Sequence, residues 1–189
     1  MIHTEIPPGP DGDISIGLIA DTHCHAGGVS LPDAVLEAFR GCTLIVHLGD
    51  MGEAAVLDRL AGVAPVLATR GGDDPSADAR IAPTRVLTAR GLSLAAAFEL
   101  GSLVPGAKSA GAELPESSAA AALCERTGRE LHAVVYAATH CPALFSRDGV
   151  LFVNPGSATL PTVRGPSGLG TVARLTLRGR AVHAEIVQL

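Results

Sequence analysis

The sequence has few aromatic residues, almost no lysine and no tryptophan, and these shortages exclude one class of function. Aromatic residues make up 3% of the 189 residues, so the stacking surfaces that single-strand nucleic-acid binders use are missing. Lys108 is the only lysine, the arginines are scattered, and the formal net charge is -5. A dedicated nucleic-acid surface is therefore not expected.

Long apolar runs and paired cysteine motifs are also missing. No apolar run approaches the roughly 20 residues that a membrane-spanning helix needs, so no membrane association is expected. The N-terminus is rich in proline and acidic residues and does not resemble an export signal. No Cys-x-x-Cys pair occurs, which predicts reduced thiols and a cytoplasmic protein; the four cysteines are Cys24, Cys42, Cys124 and Cys141.

The remaining composition is that of a globular chain. A hydrophobic fraction of 47% with 17% charged residues excludes a disordered protein and predicts a core of Ala, Val, Leu and Ile. No internal repeat or linker divides the sequence. We therefore predict a flexible N-terminal tail over residues 1–13 and a single domain over residues 14–189.

The first half of the sequence alternates short apolar runs with segments of helical periodicity. The runs predict buried strands over residues 14–20, 43–48 and 63–69, and the periodic segments predict helices over 32–40 and 53–61. Strands that alternate with helices form right-handed crossovers. This half therefore predicts a parallel sheet that is covered by helices.

The second half contains a different pattern. Turn signals at Arg90-Gly91, Asp148-Gly149 and Arg178-Gly179 predict three antiparallel hairpins over 85–97, 143–152 and 172–187. A helix over 117–126 and a buried strand over 133–138 lie among them, and 102–116 predicts a loop that could cover a site. The mixture predicts an α/β fold, a four-layer α-β-β-α sandwich of two mixed sheets.

Polar clusters follow the predicted strands at the points where the strands end. Ligands of open α/β sheets collect at these carboxyl ends. Carboxylates and imidazoles that converge there offer the mixed oxygen and nitrogen donors that a divalent metal needs. The clusters are Asp21-x-His23, Gly49-Asp50, Arg70-Gly71-x-x-Asp74, Thr139-His140 and Asn154-Pro155-Gly156-Ser157.

In this order and spacing, the clusters resemble the calcineurin-like metallophosphoesterase superfamily, and in particular its small single-domain bacterial and archaeal phosphodiesterase branch. Active members of that family are hydrolases with two metals, bridged by an aspartate and by a hydroxide that attacks phosphorus. The resemblance implies that four residues of this chain hold the first metal, with Asp50 as the bridge. They are Asp21, His23, Asp50 and His140.

The sequence departs from the family pattern at the second metal. Gly72, Ala96 and Ala138 stand where the resemblance places ligands, and none of them has a side-chain donor. Loss of one charge stabiliser weakens such a reaction by several powers of ten in rate, at about 1.4 kcal/mol of barrier for each power. The residues nearby that could substitute as ligands are Asp73, Asp74, Glu99 and also His25.

Five other residues near these clusters are interpreted as something other than metal ligands. Asn154 and His47 are expected to hold the metal ligands in place from behind. Arg70 has two equal interpretations, a phosphate contact or an ion pair with Asp73 or Asp74. Cys24, between two histidines, is interpreted as a plain buried thiol, and Cys141 likewise.

The resulting functional prediction is a metal-dependent phosphoesterase, a phosphodiesterase or phosphatase, with weakened activity. We expect one divalent ion, Mn, Fe, Zn or Ni, and a second only if the substitute ligands serve. The expected partner is a small phosphoester or nucleotide-like ligand, and a homo-oligomer is compatible with the sequence. Two alternatives stay open: a non-catalytic scaffold, as in a retromer subunit of this fold, and a sensor that binds a nucleotide or phosphate without cleaving it.

Overall fold

Two six-stranded mixed sheets pack face to face in the computed structural model, which describes residues 1–9, 12–75, 77–104, 106–107 and 119–189. The strands are β1 (Ile2–Glu5), β2 (Ile14–Ile19), β3 (Leu44–His47), β4 (Val66–Thr69), β5 (Ile81–Ala82), β6 (Thr84–Ala89), β7 (Leu92–Ala97), β8 (Ala133–Val135), β9 (Pro142–Arg147), β10 (Val150–Pro155), β11 (Thr171–Arg178) and β12 (Ala181–Gln188). The helices are α1 (Asp33–Ala38), α2 (Ala55–Ala61) and α3 (Ala119–Thr127), and Leu100–Ser102 forms a 3₁₀ turn.

The first sheet has the strand order β12-β11-β2-β3-β4-β5. Strands β2 to β5 are parallel, as the alternation of strands and helices predicts, and β11 pairs antiparallel with β2 and β12. The second sheet has the order β1-β6-β7-β8-β10-β9. It contains the predicted antiparallel hairpins β6–β7 and β9–β10, joined through the parallel strand β8.

Alternation of side chains along the strands produces the four layers. In β2, Ile14, Ile16 and Leu18 face the second sheet and form the central core with residues such as Leu94 and Leu175. The opposite face of the first sheet packs against α1 and α2. The outer face of the second sheet packs against α3 and the 3₁₀ turn. The predicted α-β-β-α sandwich is therefore confirmed.

A glycine in β2 allows α1 to approach the sheet closely. Phe39, which follows α1 and is fully buried, lies directly over Gly17. A Cβ atom at Gly17 would stand 2.6 Å from Phe39 Cδ1, which is far inside contact distance. This packing fixes α1 against the strand whose end carries two of the candidate metal ligands.

The N-terminal residues differ from the predicted flexible tail. Ile2–Glu5 forms β1, which pairs in parallel with β6, and Ile6 is buried in the central core. The sequence of β1 is short and mostly polar, so it gives no strand signal of its own. The strand forms because it pairs with β6, which is distant in sequence. The prediction is wrong for these residues, whereas the extent of the domain over 14–189 stays a prediction.

Two further predictions are tested only in part. The predicted helix over 117–126 corresponds to α3, but residues 117 and 118 lie outside the described residues. Most of the predicted covering loop over 102–116 also lies outside them. Within the described part of the chain, no helix is long and apolar enough to cross a membrane.

Candidate metal centre

The carboxyl ends of strands from both sheets meet at one edge of the sandwich. Asp21 and His23 follow β2, Asp50 follows β3, and His140 follows β8. One ligand atom from each of Asp21, His23 and His140 lies within 4.8 Å of the other two. The His23 and His140 rings are stacked with their centroids 5.3 Å apart. Three of the four predicted ligands therefore form one cluster.

Asp50 lies beside this cluster and faces His23. Its Oδ2 is 3.8 Å from His23 Nε2, and its charge is close enough to raise the pKa of Asp21. Its other oxygen, Oδ1, accepts a 2.9 Å hydrogen bond from the backbone N–H of Asp73. One oxygen of Asp50 is thus held by the main chain, while the other points towards the cluster.

The backbone is strained at the cluster. Seven described residues other than glycine have positive φ, and two of them lie in hairpin turns. The other five, with φ between 43° and 72°, are Asp21, His23, Asp50, Ala138 and His140. Such conformations cost on the order of 1 kcal/mol or more each and persist only where the surroundings impose them. Their concentration at one place makes this edge of the sandwich the candidate functional site.

Asp21 is a buried carboxylate without a hydrogen-bond partner. The residue is fully buried, and neither Oδ1 nor Oδ2 accepts a hydrogen bond of normal geometry. Burial raises the pKa of Asp21 to about 6, against the charges of His140 and His23 and the nearby Ala138 N–H, which lower it. A buried charge that lacks a partner is costly, so this arrangement suits a group that is neutralised by a bound cation.

Both imidazoles of the cluster point a free nitrogen inwards. His140 Nδ1 donates to the carbonyl oxygen of Leu160 at 2.7 Å, and His23 Nδ1 donates to Asp73 Oδ2 at 2.9 Å. The neutral ring then has its lone pair on Nε2. Those nitrogens face Asp21 and Asp50, each at 3.8 Å. This is the tautomer that metal ligation through Nε2 requires.

The donor set fits a divalent cation. Carboxylate oxygen and neutral imidazole are ligands of Zn, Mn, Fe and Ni. Two ligands at about 2.1 Å from one ion stand up to about 4.2 Å apart, so the 3.8 Å separations need little adjustment. The orphaned Asp21 oxygens and the inward Nε2 atoms therefore make a possible metal site.

His47, the last residue of β3, is fully buried. Its Nδ1 accepts from the backbone N–H of Gly49 at 3.2 Å, so its Nε2–H donates to Thr22 Oγ1 at 3.0 Å. Thr22 Oγ1 in turn donates to the carbonyl of Met51. Burial lowers the pKa of His47 to about 3, so the ring is neutral and braces the backbone between Asp21 and Asp50.

Asn154 holds the segment that carries His140. Its Nδ2 donates to the carbonyl of Ala137 at 3.2 Å and to Thr139 Oγ1 at 3.0 Å, while its Oδ1 accepts from the N–H of Gly156. The amide therefore joins the turn after β10 to the end of β8.

Two hydroxyls behind the site complete this support. Ser157 Oγ donates to the carbonyl of Asp21 at 2.7 Å, and Thr159 Oγ1 donates to the carbonyl of Thr22 at 2.8 Å. Sequence reasoning missed Thr22, Thr159 and the carbonyl of Leu160. A hydroxyl gives a weak signal in sequence and a backbone carbonyl gives none.

Two of the three positions that lack second-metal ligands, Gly72 and Ala138, lie beside the cluster. A Cβ atom at Gly72 would stand 3.9 Å from Asp50 Oδ1, in ordinary contact, and the Ala138 N–H is close to Asp21. Ala96 is buried in the central core. Phe98 packs against Gly49, where a Cβ atom would be 2.7 Å from its ring. Ala96 and Ala138 therefore carry only a methyl group at these positions, and Gly72 carries no side chain.

The candidate substitute ligands are engaged elsewhere or lie apart. Asp73 Oδ2 binds the Nδ1 side of His23, which faces away from the cluster, and also His25 Nε2. Both oxygens of Asp74 accept backbone N–H groups, from Met51 and Gly71. Glu99 is exposed and joins no described group of three metal-binding side chains. Among the described residues, the only group of three metal-binding side chains whose ligand atoms lie within 4.8 Å of one another is therefore Asp21, His23 and His140.

The remaining polar candidates have mixed outcomes. Arg70 Nη1 donates to the carbonyl of Pro75 at 3.0 Å instead of pairing with Asp73 or Asp74, and a phosphate contact by it stays a prediction. Cys24 is buried, which raises the pKa of its thiol and fits a structural role. Cys141 is exposed, so the prediction of a buried thiol is wrong there.

Comparison with known proteins finds relatives in sequence and in fold. A probable metallophosphoesterase of Methanothermobacter thermautotrophicus is 30% identical over 175 residues, which cover 92% of this chain and 91% of the relative. A novel archaeal phosphodiesterase superposes with a TM-score of 0.62 at 18% identity, over 92% of this chain and all of the other. Vps29 of Entamoeba histolytica in complex with Zn²⁺ superposes with a TM-score of 0.62 at 18% identity, over 92% and 98%.

The sequence profile of the calcineurin-like phosphoesterase superfamily domain matches residues 14–180, which contain all four predicted ligands and the strands β2 to β11. The match spans most of the chain and leaves out only the edge strands β1 and β12 of the two sheets. This protein therefore belongs to the calcineurin-like phosphoesterase superfamily.

Proposed function

We propose that this protein is a metal-dependent phosphoesterase that works with one divalent cation. The observation that carries the proposal is the fully buried Asp21 carboxylate, which has no hydrogen-bond partner and two inward-facing imidazoles beside it. An unpaired buried charge costs on the order of several kcal/mol. A cation held by Asp21, His23, His140 and Asp50 Oδ2 would offset that cost.

A bound divalent cation at this site would act as a Lewis acid on a phosphoryl oxygen and would stabilise the charge that develops there. The chain's own residues prepare the site for it. Leu160 and Asp73 hold the two rings with Nε2 inwards, and the strained backbone fixes the ligands before binding. Such preorganisation lowers the cost of arranging ligands when the cation arrives.

The expected activity is weak because one electrophile is missing. Gly72, Ala96 and Ala138 offer no side-chain donors for a second cation. Loss of one preorganised charge stabiliser typically costs about two to three powers of ten in rate. Low turnover of a small phosphoester is therefore expected, rather than the rate of an enzyme with two metals.

The substrate and the cation are proposed from chemistry and from likeness. A phosphodiester is favoured because the chain shares its fold with an archaeal phosphodiesterase. Zinc is a candidate because a protein of the same fold was solved with Zn²⁺, although the donor set suits Mn, Fe or Ni as well. A cytoplasmic location, in keeping with the unpaired cysteines, belongs to the same proposal.

A direct test measures metal content and hydrolysis together. The purified protein, loaded with Mn²⁺ or Zn²⁺, is assayed with bis(p-nitrophenyl) phosphate. We expect one bound ion and slow turnover, both abolished in His140→Ala. The matched control is His183→Ala, on the exposed edge strand β12, which should change neither. Turnover that survives His140→Ala unchanged would contradict the proposal.

A non-catalytic scaffold is the second candidate, and the emptied second-metal positions favour it. The chain also shares its fold with Vps29, a protein that is named for vacuolar protein sorting rather than for hydrolysis. The scaffold predicts protein that is isolated without metal and whose melting temperature does not change in chelator. A sensor would instead show a thermal shift with a nucleotide or phosphate and form no product.

A further inference from the structure

Asp73 joins two histidines through a single oxygen. Its Oδ2 accepts a 2.9 Å hydrogen bond from His23 Nδ1 and a 3.0 Å hydrogen bond from His25 Nε2. A carboxylate oxygen is an acceptor, so one oxygen of Asp73 serves both rings as their hydrogen-bond partner.

The main chain of Asp73 is tied to the same site. Its N–H donates to Asp50 Oδ1 at 2.9 Å, and its carbonyl accepts from the N–H of Gly52 at 3.2 Å. Asp73 thus contacts one candidate ligand through its side chain and another through its backbone. A residue that is held through both its side chain and its backbone can fix the positions of His23 and Asp50.

The consequence for His23 is a defined tautomer. An imidazole that donates from Nδ1 has its lone pair on Nε2, and Nε2 of His23 faces Asp50 at 3.8 Å. A carboxylate acceptor also makes the ring a stronger donor to a metal than a neutral acceptor would. His140 reaches the same tautomer through the Leu160 carbonyl, which no substitution removes directly.

We propose that Asp73 is a positioning residue, which orients His23 for the cation and fixes the proton on its Nδ1, and that His25 holds the Asp73 carboxylate in place. This inference rests on the proposed metal site and extends it, because it replaces the predicted role of Asp73 as a ligand. His25 has a 55% exposed side chain, so its hydrogen bond contributes less than that of the better buried His23.

The test compares Zn²⁺ affinity and the His23 tautomer in the full-length protein. Zn²⁺ affinity is measured by competition with a chromogenic chelator for the wild type, Asp73→Asn, His25→Ala and the control Asp58→Asn. Asp58 is an exposed carboxylate on α2, so its loss should not change binding. The tautomer is read from ¹⁵N chemical shifts of His23 in the metal-free protein.

We expect Asp73→Asn to lower the Zn²⁺ affinity about 10–100-fold, the range found when an outer carboxylate is removed from a metal-bound histidine. The metal-free variant should also lose part of the Nδ1–H tautomer. His25→Ala should have a smaller effect in the same direction. Asp73→Glu, which restores the charge, should recover part of the affinity.

Three results separate the two proposals. If Asp73→Asn binds Zn²⁺ as the wild type does and leaves the tautomer unchanged, the positioning role is wrong. If the wild type binds no Zn²⁺ but its tautomer depends on Asp73, the positioning role stands and the metal function fails. If Asp73→Asn unfolds at the temperature of the assay, the milder His25→Ala decides through its own tautomer shift, and no shift there overturns the proposal.

Discussion

The buried carboxylate of Asp21 favours cation binding but lowers the stability of the metal-free protein at neutral pH. Its folded pKa of about 6 lies above the reference value of 3.8 because the group is buried. The folded chain therefore binds this proton more tightly than the unfolded chain does. The associated stability is fully present below about pH 4 and is lost as the pH rises through about 6.

Asp21→Asn should therefore stabilise the metal-free protein at neutral pH. At about 1.4 kcal/mol for each pKa unit, the shift from 3.8 to about 6 makes the gain in the free energy of unfolding about 3 kcal/mol at pH 7.5 and well under about 1 kcal/mol at pH 4. Urea unfolding in EDTA at both pH values measures it, with the exposed Asp33→Asn as control. A variant that is less stable than the wild type at pH 7.5 would contradict this account of Asp21.

Gly72 and Ala138 offer a test of why one cation is expected. A Cβ atom at Gly72 would meet no atom closer than 3.9 Å, and Ala138 lies beside Asp21. Gly72→Asn with Ala138→His should add donors for a second cation and raise turnover of bis(p-nitrophenyl) phosphate by about tenfold or more. Metal analysis should show more than one ion per chain, whereas Gly72→Ala with Ala138→Ser should leave the wild-type content.

At the residue scale, the sequence predicts which side chains lie close together but not which groups they hydrogen-bond with. Asp21, His23 and His140 could be identified because each follows a strand with a family motif. Asp73 and Asp74 were predicted as substitute ligands because they adjoin the vacant Gly72. Their oxygens instead accept hydrogen bonds from His23 and from backbone N–H groups. The direction in which each carboxylate points depends on the local φ and ψ and not on the residue type.

At the scale of elements, strand β1 is the clearest difference between sequence and structure. Its residues alternate without a strong apolar pattern, and three of the four are exposed. Pairing with β6 and burial of the next residue, Ile6, give it its order. The strands β2, β3 and β4 could be predicted because they are buried on both faces and are nearly continuous apolar runs.

Ile6→Ala should show that β1 is part of the folded core. Ile6 is 4% exposed and packs between the sheets, so its truncation should lower the free energy of unfolding by about 2–3 kcal/mol. The matched control Ile2→Ala removes the same side chain at a 46% exposed position of β1, and should cost less than about 0.5 kcal/mol. Equal effects on urea unfolding would mean that the segment is not docked.

At the scale of the whole molecule, the site exists because two sheets end at the same edge. The first sheet supplies Asp21, His23 and Asp50, and the second supplies His140 through β8. The family resemblance predicts both the sandwich and the order of these motifs along the chain. The distances between them depend on how the sheets pack, which no local pattern in the sequence encodes.

The number and place of the bound cations test the central claim most directly. A crystal soaked in Mn²⁺ and measured at an anomalous wavelength shows each ion as a peak. We predict one peak for each chain, in contact with Asp21, His23 and His140, and none in a His140→Ala crystal. Two peaks, or no peak beside Asp21 in the wild type, would contradict a phosphoesterase site built for a single cation.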